Sequence, residues 1–159
     1  MDVKIIERDS FDVVGLEIST SLVDGQFMSD VNALIEEALT SLVLDQITNR
    51  KHAEVVLGIS SDLQDDGSYT FVLGAEVVGS GGLPKGTISR TIPAASYAVI
   101  ETKGEMPFAL MEAHEYLRET WLPNSAYERA TTPSFEVYAE KAWEVSEPEI
   151  DIFVPVVVR

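Results

Sequence analysis

Cysteine is absent from this 159-residue chain, and histidine occurs only twice. Without cysteine the chain has no disulfide, no thiolate nucleophile, no haem attachment through cysteine and no cysteine-based zinc site. A histidine-rich transition-metal site would have to take most of its ligands from carboxylates. We therefore expect no metal and no cofactor, and the lack of cysteine fits a reducing cytoplasm.

Positive charge is also scarce. The chain has 11 lysine and arginine residues against 27 aspartate and glutamate residues, a formal net charge of -16. Nucleic acid and anionic bilayers would repel that charge, so neither is an expected direct partner. The first eight residues lack the basic and apolar regions of a signal peptide, and no run approaches 18 uncharged apolar residues. The sequence predicts a cytoplasmic protein.

What the chain does contain is the composition of a globular domain. Apolar residues make up 45% and charged residues 24% of a 17.4 kDa chain. These values argue against wholesale disorder, and the length is typical of one domain with a single core. We predict one domain over residues 1–159.

The hydrophobic pattern of the first half predicts a βαββ order. A strand is expected at 11–20, where apolar residues alternate, and an amphipathic helix at 29–46 with Ser29 or Asp30 as its N-cap. Two further strands are expected at 54–60 and 68–78, joined by an acidic turn. The first strand is expected to begin near Val3.

The same order returns after a glycine- and proline-containing loop at 79–86, which has neither the dinucleotide fingerprint nor the P-loop pattern. A strand is expected at 95–102, a helix at 105–122 and two strands at 134–140 and 149–157. Repeat one then covers about 1–78 and repeat two about 87–159. Two such units predict an α+β fold with pseudo-twofold symmetry: one curved antiparallel sheet, two main helices outside it and a central ligand groove.

The most informative segment is the strand at 133–140. Alternation places Phe135, Val137 and Ala139 on one face and Glu136 with Tyr138 on the other. That polar face either meets solvent or lines the groove, with the helices covering the opposite face. In the second case Glu136 is a carboxylate in an aromatic-lined cavity, where it would attract a cation. His114, on the second helix, is predicted to flank the buried stripe rather than to serve as a ligand.

The order and spacing of four segments resemble the gyrase-inhibitor-like superfamily, which includes the effector-binding domains of AraC-type and MerR-type multidrug regulators. These segments are Gly-Glu-Met-Pro at 104–107, Trp-Leu-Pro at 121–123, Pro-Ser-Phe-Glu-Val-Tyr at 133–138 and Glu-Ile-Asp-Ile-Phe-Val-Pro at 149–155. The resemblance covers nearly the whole chain. It implies a pocket at the seam between the repeats, with a central glutamate on the penultimate strand that meets cationic or polar drug-like ligands.

That glutamate matches Glu136. Tyr138 follows it on the same face, and four more aromatic residues are predicted as pocket walls by their positions, with plain core packing as the alternative for each. These are Trp121, Tyr97, Tyr69 and Phe71. The first strand is expected near Val3 and the last strand ends just before Arg159, which leaves no room for a helix-turn-helix. The expected protein is therefore a stand-alone sensor or sequestering domain for amphipathic, cationic aromatic compounds.

Two other functions stay open. One is a hydrolase of reactive xenobiotics, as some superfamily members are, in which Glu136 would be the catalytic residue and act as general base. The other is an interaction module that contacts a protein partner through its acidic surface. The sequence favours binding over catalysis, and it does not predict the natural ligand or the oligomeric state.

Overall fold

The computed structural model describes residues 1–159 as nine strands and two principal helices. In the first half β1 (Lys4–Arg8), β2 (Phe11–Ser21), α1 (Gln26–Ser41), β3 (Val55–Ser61) and β4 (Ser68–Val77) follow one another. The second half has β5 (Ile88–Ile92), β6 (Ala95–Lys103), α2 (Phe108–Tyr116), β7 (Tyr127–Arg129), β8 (Ser134–Ala139) and β9 (Glu149–Val158). The predicted α+β class is confirmed.

All nine strands join one antiparallel sheet in the order β1-β6-β9-β8-β3-β4-β2-β5, with β7 paired to β9. If each strand of the first half is exchanged with its counterpart in the second half, the order reads the same from the other end. The two halves are therefore related by a pseudo-twofold axis, which passes between the central strands β3 and β8. No helix is both long and apolar enough to cross a membrane.

The structure has three strands beyond the predicted βαββ units, one in the first repeat and two in the second. The first strand begins at Lys4, close to the expected start near Val3. The short strands β1 and β5 lie at the two edges of the sheet, where β1 pairs with β6 and β5 with β2. The third additional strand, β7, has three residues. Such short strands carry too few residues to show an alternating pattern.

The helix boundaries also differ from the prediction. Helix α1 begins at Gln26 rather than at Ser29, because Gly25 in the left-handed conformation (φ 70°) starts it without a side-chain cap. It ends at Ser41, and Leu42 also adopts a left-handed conformation (φ 56°) before a short 3₁₀ turn. Helix α2 begins at Phe108 and continues as a π-helical turn, Leu117–Trp121. Pro107 precedes its first turn instead of lying in it.

The sheet is buried on both faces. One face, which we call the helix face, carries α1, α2 and a core of 18 buried residues that includes Leu16, Phe71 and Ile152. The opposite face curves over a second core of nine buried residues, with Tyr97 and Phe135 among the most deeply buried. Helix α1 packs mainly on β2 and β4, and α2 on β6 and β9. The two helices therefore leave the surface over β3 and β8 between them, and we call this surface the groove.

Candidate ligand-binding site

Glu136 lies at the centre of the sheet, on the floor of this groove. Its neighbours across the strands are Gly58 on β3 and Ile152 on β9. Because Gly58 has no side chain, the space beside the carboxylate is left to the rings of Phe71 and Tyr138, which lie 3.0 Å and 3.2 Å from where a Cβ would stand. The Glu136 side chain is 19% exposed, so the carboxylate is partly desolvated while solvent still reaches it.

Two side chains hold the Glu136 carboxylate. His114 Nε2, from α2, lies 2.8 Å from Glu136 Oε2, and the Tyr138 hydroxyl donates a hydrogen bond to Oε1. His114 is the one ion-pair partner of Glu136, and its side chain is 36% exposed. No lysine or arginine pairs with this carboxylate. Its charge is balanced only when the histidine is protonated.

A second carboxylate enters the groove from the other helix. Asp30, on α1, accepts a hydrogen bond from the hydroxyl of the buried Thr20 at 2.8 Å. Thr20 is the cross-strand neighbour of Tyr69. Asp30 was predicted as an N-cap, but the helix begins four residues earlier and leaves its carboxylate free to bond to β2. Glu136 and Asp30 both lie close enough to Tyr69 for their charges to act on its phenol.

The effect of these carboxylates is seen in the two tyrosines near them. Burial, then the negative charges of Glu136 and Asp30, raise the pKa of Tyr69 to about 12. Burial, together with the charge and the hydrogen bond of Glu136, raises the pKa of Tyr138 well above 10. Both shifts have the sign expected where an additional negative charge is disfavoured. The groove is a region of negative potential with neutral phenols in it.

A titration can test this arrangement. With Glu136→Gln we expect the pKa of Tyr69 to fall below about 12 and to stay above 10, because removal of one negative charge favours the phenolate while burial, the larger cause, remains. The five tyrosines can be followed by NMR of ring-labelled tyrosine, with Tyr69→Phe to assign the resonance. An unchanged Tyr69 pKa would show that Glu136 does not face this ring.

The structure gathers three of the predicted wall residues near Glu136. The Tyr138 hydroxyl bonds to the carboxylate, and the charge of that carboxylate raises the pKa of Tyr69. The Phe71 ring lies beside Gly58, the cross-strand neighbour of Glu136. Phe71 is only 5% exposed, so it supports the floor. Trp121 lies at the end of the π-helical turn, where its ring stacks on Tyr127 with centroids 5.9 Å apart.

Tyr97 is not brought to the groove. It is fully buried in the core of the opposite face, between Phe135 at 5.2 Å and Phe153 at 5.7 Å between ring centroids. Strand alternation decides this placement: Ala98 and Ile100 of β6 face the helices, so Tyr97 and Val99 face away. The helices were predicted to lie across the sheet from Glu136, but they lie on the same face as Glu136, where His114 of α2 reaches its carboxylate.

Three residues of the site were not predicted as part of it: Asp30, described above, His114 and Trp143. His114 does flank the buried stripe of α2 as expected, but that flank faces the groove and reaches Glu136. Trp143, in the connection between β8 and β9, stacks on Tyr138 with centroids 5.3 Å apart. No periodic pattern places a loop tryptophan, and the partner of a helix-flank histidine depends on how the helix crosses the sheet.

A family model confirms the resemblance to effector-binding domains. The model described as Cass2, integron-associated effector binding protein, matches residues 4–156. Among curated proteins, the transcriptional regulator BrlR of Pseudomonas aeruginosa is 27% identical over 158 residues. The match takes in 98% of this chain and 56% of BrlR, so the chain spans about half the length of that relative.

Two solved structures show the same fold. SAV2435 bound to tetraphenylphosphonium is 18% identical with a TM-score of 0.81, over 99% of this chain and 94% of that one. An integron cassette protein from the mobile metagenome of Vibrio cholerae, VCH_CASS2, is 19% identical with a TM-score of 0.69, over 98% of this chain and 95% of that one. At these identities the likeness concerns the fold.

Proposed function

The chain belongs to the Cass2 family of integron-associated effector binding proteins, and we propose that it binds amphipathic aromatic cations in the groove over Glu136. The family groups small-molecule effector-binding domains related to transcription regulators. The observation that carries the proposal is the pair of carboxylates, Glu136 and Asp30, which face Tyr69 with no lysine or arginine bonded to either.

The electrostatics favour a cation over a neutral ligand. A partly desolvated carboxylate is costly unless it is paired, and His114 pairs with Glu136 only in its protonated form. A ligand cation that takes the place of His114 would gain the charge interaction at every pH at which the carboxylate is ionised. The net charge of -16 adds a long-range field of the same sign.

The aromatic rings favour a flat or multi-ring ligand. Tyr69 is the partly buried ring beside the carboxylate, and Tyr138, 7% exposed and stacked on Trp143, forms the floor next to it. Aromatic faces attract cations and stack on aromatic groups without strict geometric demands. Such a site admits ligands of different shapes, which supports a broad effector range. The tetraphenylphosphonium held by SAV2435 has this chemistry, and supports the proposal by analogy.

The proposal concerns effector binding by this chain. Its acidity argues against direct contact with nucleic acid, so we propose that any effect on transcription passes through a protein partner or through other parts of a longer regulator. A second candidate function is suggested by the hydrogen-bonded Glu136–His114 pair, which could act as a general acid and base on a strained or ester substrate. Binding followed by recovery of the compound unchanged would favour the first candidate.

Two ions of the same shape and opposite charge provide the experiment. At about a hundred times its dissociation constant, tetraphenylphosphonium should stabilise the protein by about 2.7 kcal/mol and raise the melting temperature by about 5–10 °C. Tetraphenylborate, its anionic counterpart, should give no increase. Equal increases with both ions would mean that hydrophobicity alone drives binding, and no increase with either would refute the proposal.

A further inference from the structure

An apolar cleft lies on the helix face beside the groove, and Glu136 is not one of its lining residues. It runs between the last two turns of α1, the strands β3 and β4, and Trp143. Eight of its ten lining residues are hydrophobic, and its enclosed space is about 70 Å³. That space is smaller than a pocket for a drug-sized compound, so it has room for only part of a ligand, such as a segment of an alkyl chain.

The mouth of the cleft presents apolar side chains to water. Leu39 is 51% exposed and Leu42 is 59% exposed. Leu42 adopts a left-handed conformation (φ 56°) at the end of α1, where glycine is the usual residue and leucine is rare. An exposed apolar pair beside a concave apolar wall is typical of a surface that binds a ligand.

The charges around the cleft all have one sign. Asp45 and Glu140 are its two charged lining residues, and neither forms an ion pair in the structure. No lysine, arginine or histidine lines the cleft. An apolar wall with two unpaired carboxylates is complementary to a molecule that has an apolar chain and a positive head.

Trp143 connects this cleft to the groove. Its ring lines the cleft and also stacks on Tyr138, whose hydroxyl bonds to Glu136. A ligand in the cleft would therefore change the surroundings of Trp143 without contacting Glu136. The chain has one other tryptophan, Trp121, which stacks on Tyr127 instead, so Trp143 can be made the single fluorescent reporter.

We propose that the cleft is a second binding site, for alkyl-ammonium amphiphiles. The alkyl chain lies against Leu39, Leu42 and Trp143, and the ammonium group lies by Asp45 and Glu140. This site shares Trp143 with the groove but does not include Glu136, so its binding does not depend on that carboxylate.

The test uses dodecyltrimethylammonium below its micelle concentration and the Trp121→Phe protein, followed by Trp143 fluorescence. We expect saturable binding that survives Glu136→Gln and weakens about tenfold in Asp45→Asn/Glu140→Gln, as the loss of two partly exposed charge interactions implies. Dodecyldimethylamine oxide has the same alkyl chain and no net charge at alkaline pH. Its affinity for the parent should be about as low as the affinity of dodecyltrimethylammonium for the Asp45→Asn/Glu140→Gln variant.

A matched control removes the same two charges elsewhere. Asp2→Asn/Asp65→Asn changes two exposed carboxylates outside the cleft, and it should leave the affinity within about twofold of the parent, because exposed charges at a distance are screened by salt. Absence of any saturable Trp143 response overturns the second site. So does binding that is lost in Glu136→Gln and unchanged in Asp45→Asn/Glu140→Gln, a result that would leave the proposed function of the groove intact.

Discussion

Replacement of Glu136 by glutamine should weaken the binding of tetraphenylphosphonium by about 30-fold or more. Glutamine keeps the size of the side chain and removes its charge, so the ligand cation would enter the groove without its main counter-ion. Loss of one member of a desolvated charge pair costs about 2 kcal/mol or more, and 1.4 kcal/mol corresponds to a factor of ten in affinity. Isothermal titration calorimetry of both proteins at one salt concentration measures the ratio of their dissociation constants for tetraphenylphosphonium.

Two controls separate this effect from a general loss of charge or of fold. Glu128→Gln removes one exposed carboxylate that forms no ion pair, and its affinity should match that of the parent. Triphenylphosphine oxide, which has aromatic rings and no net charge, should bind parent and Glu136→Gln equally. If Glu136→Gln bound the cation as well as Glu128→Gln does, the carboxylate would not be the ligand's counter-ion.

The largest effect on stability is expected from Gly15→Ala. Gly15 of β2 lies opposite Gly74 of β4, and a Cβ at Gly15 would come within 2.3 Å of the Leu73 carbonyl oxygen. The obstacle is backbone, which a rotamer change cannot relieve, so β2 and β4 would have to separate. We expect a loss of about 3 kcal/mol or more in the free energy of unfolding, measured by urea denaturation.

The matched control is Gly82→Ala. A Cβ at Gly82 meets nothing within 4 Å, and the residue lies in the loop between the repeats. This variant should unfold within about 0.5 kcal/mol of the parent. Gly74→Ala should behave like Gly15→Ala, because its Cβ would stand 2.4 Å from the Val14 carbonyl oxygen. Equal stability of Gly15→Ala and Gly82→Ala would contradict the close approach of these strands.

Long periodic segments were predictable from the sequence, and contacts between segments were not. The strand that became β2 shows alternation, the strands β4 and β9 are long and rich in apolar residues, and α1 shows an amphipathic stripe, so their type followed from local pattern. The edge strand β5 was missed because a five-residue strand gives little pattern. Gly15 and Gly74 come into backbone contact because β2 pairs with β4. The strand pairing cannot be derived from a single sequence.

The residues of the candidate site show the same difference between what a local pattern predicts and what depends on contacts between segments. Glu136 and Tyr138 were predicted to share a face because residues two apart on a strand must do so. Tyr97 was predicted as a wall from its strand position, yet the strand turns it to the opposite core. His114 and Asp30 reach the groove from separate helices, and their meeting there depends on where each helix crosses the sheet.

A crystal structure of the protein with tetraphenylphosphonium tests the central claim most directly. We predict that the phosphonium lies in the groove between α1 and α2, with its rings against Tyr69 and Tyr138 and its charge beside Glu136, and that His114 no longer contacts the carboxylate. A complex in which the Glu136–His114 contact is intact and the cation lies elsewhere on the protein would contradict the assignment of this groove as the effector site.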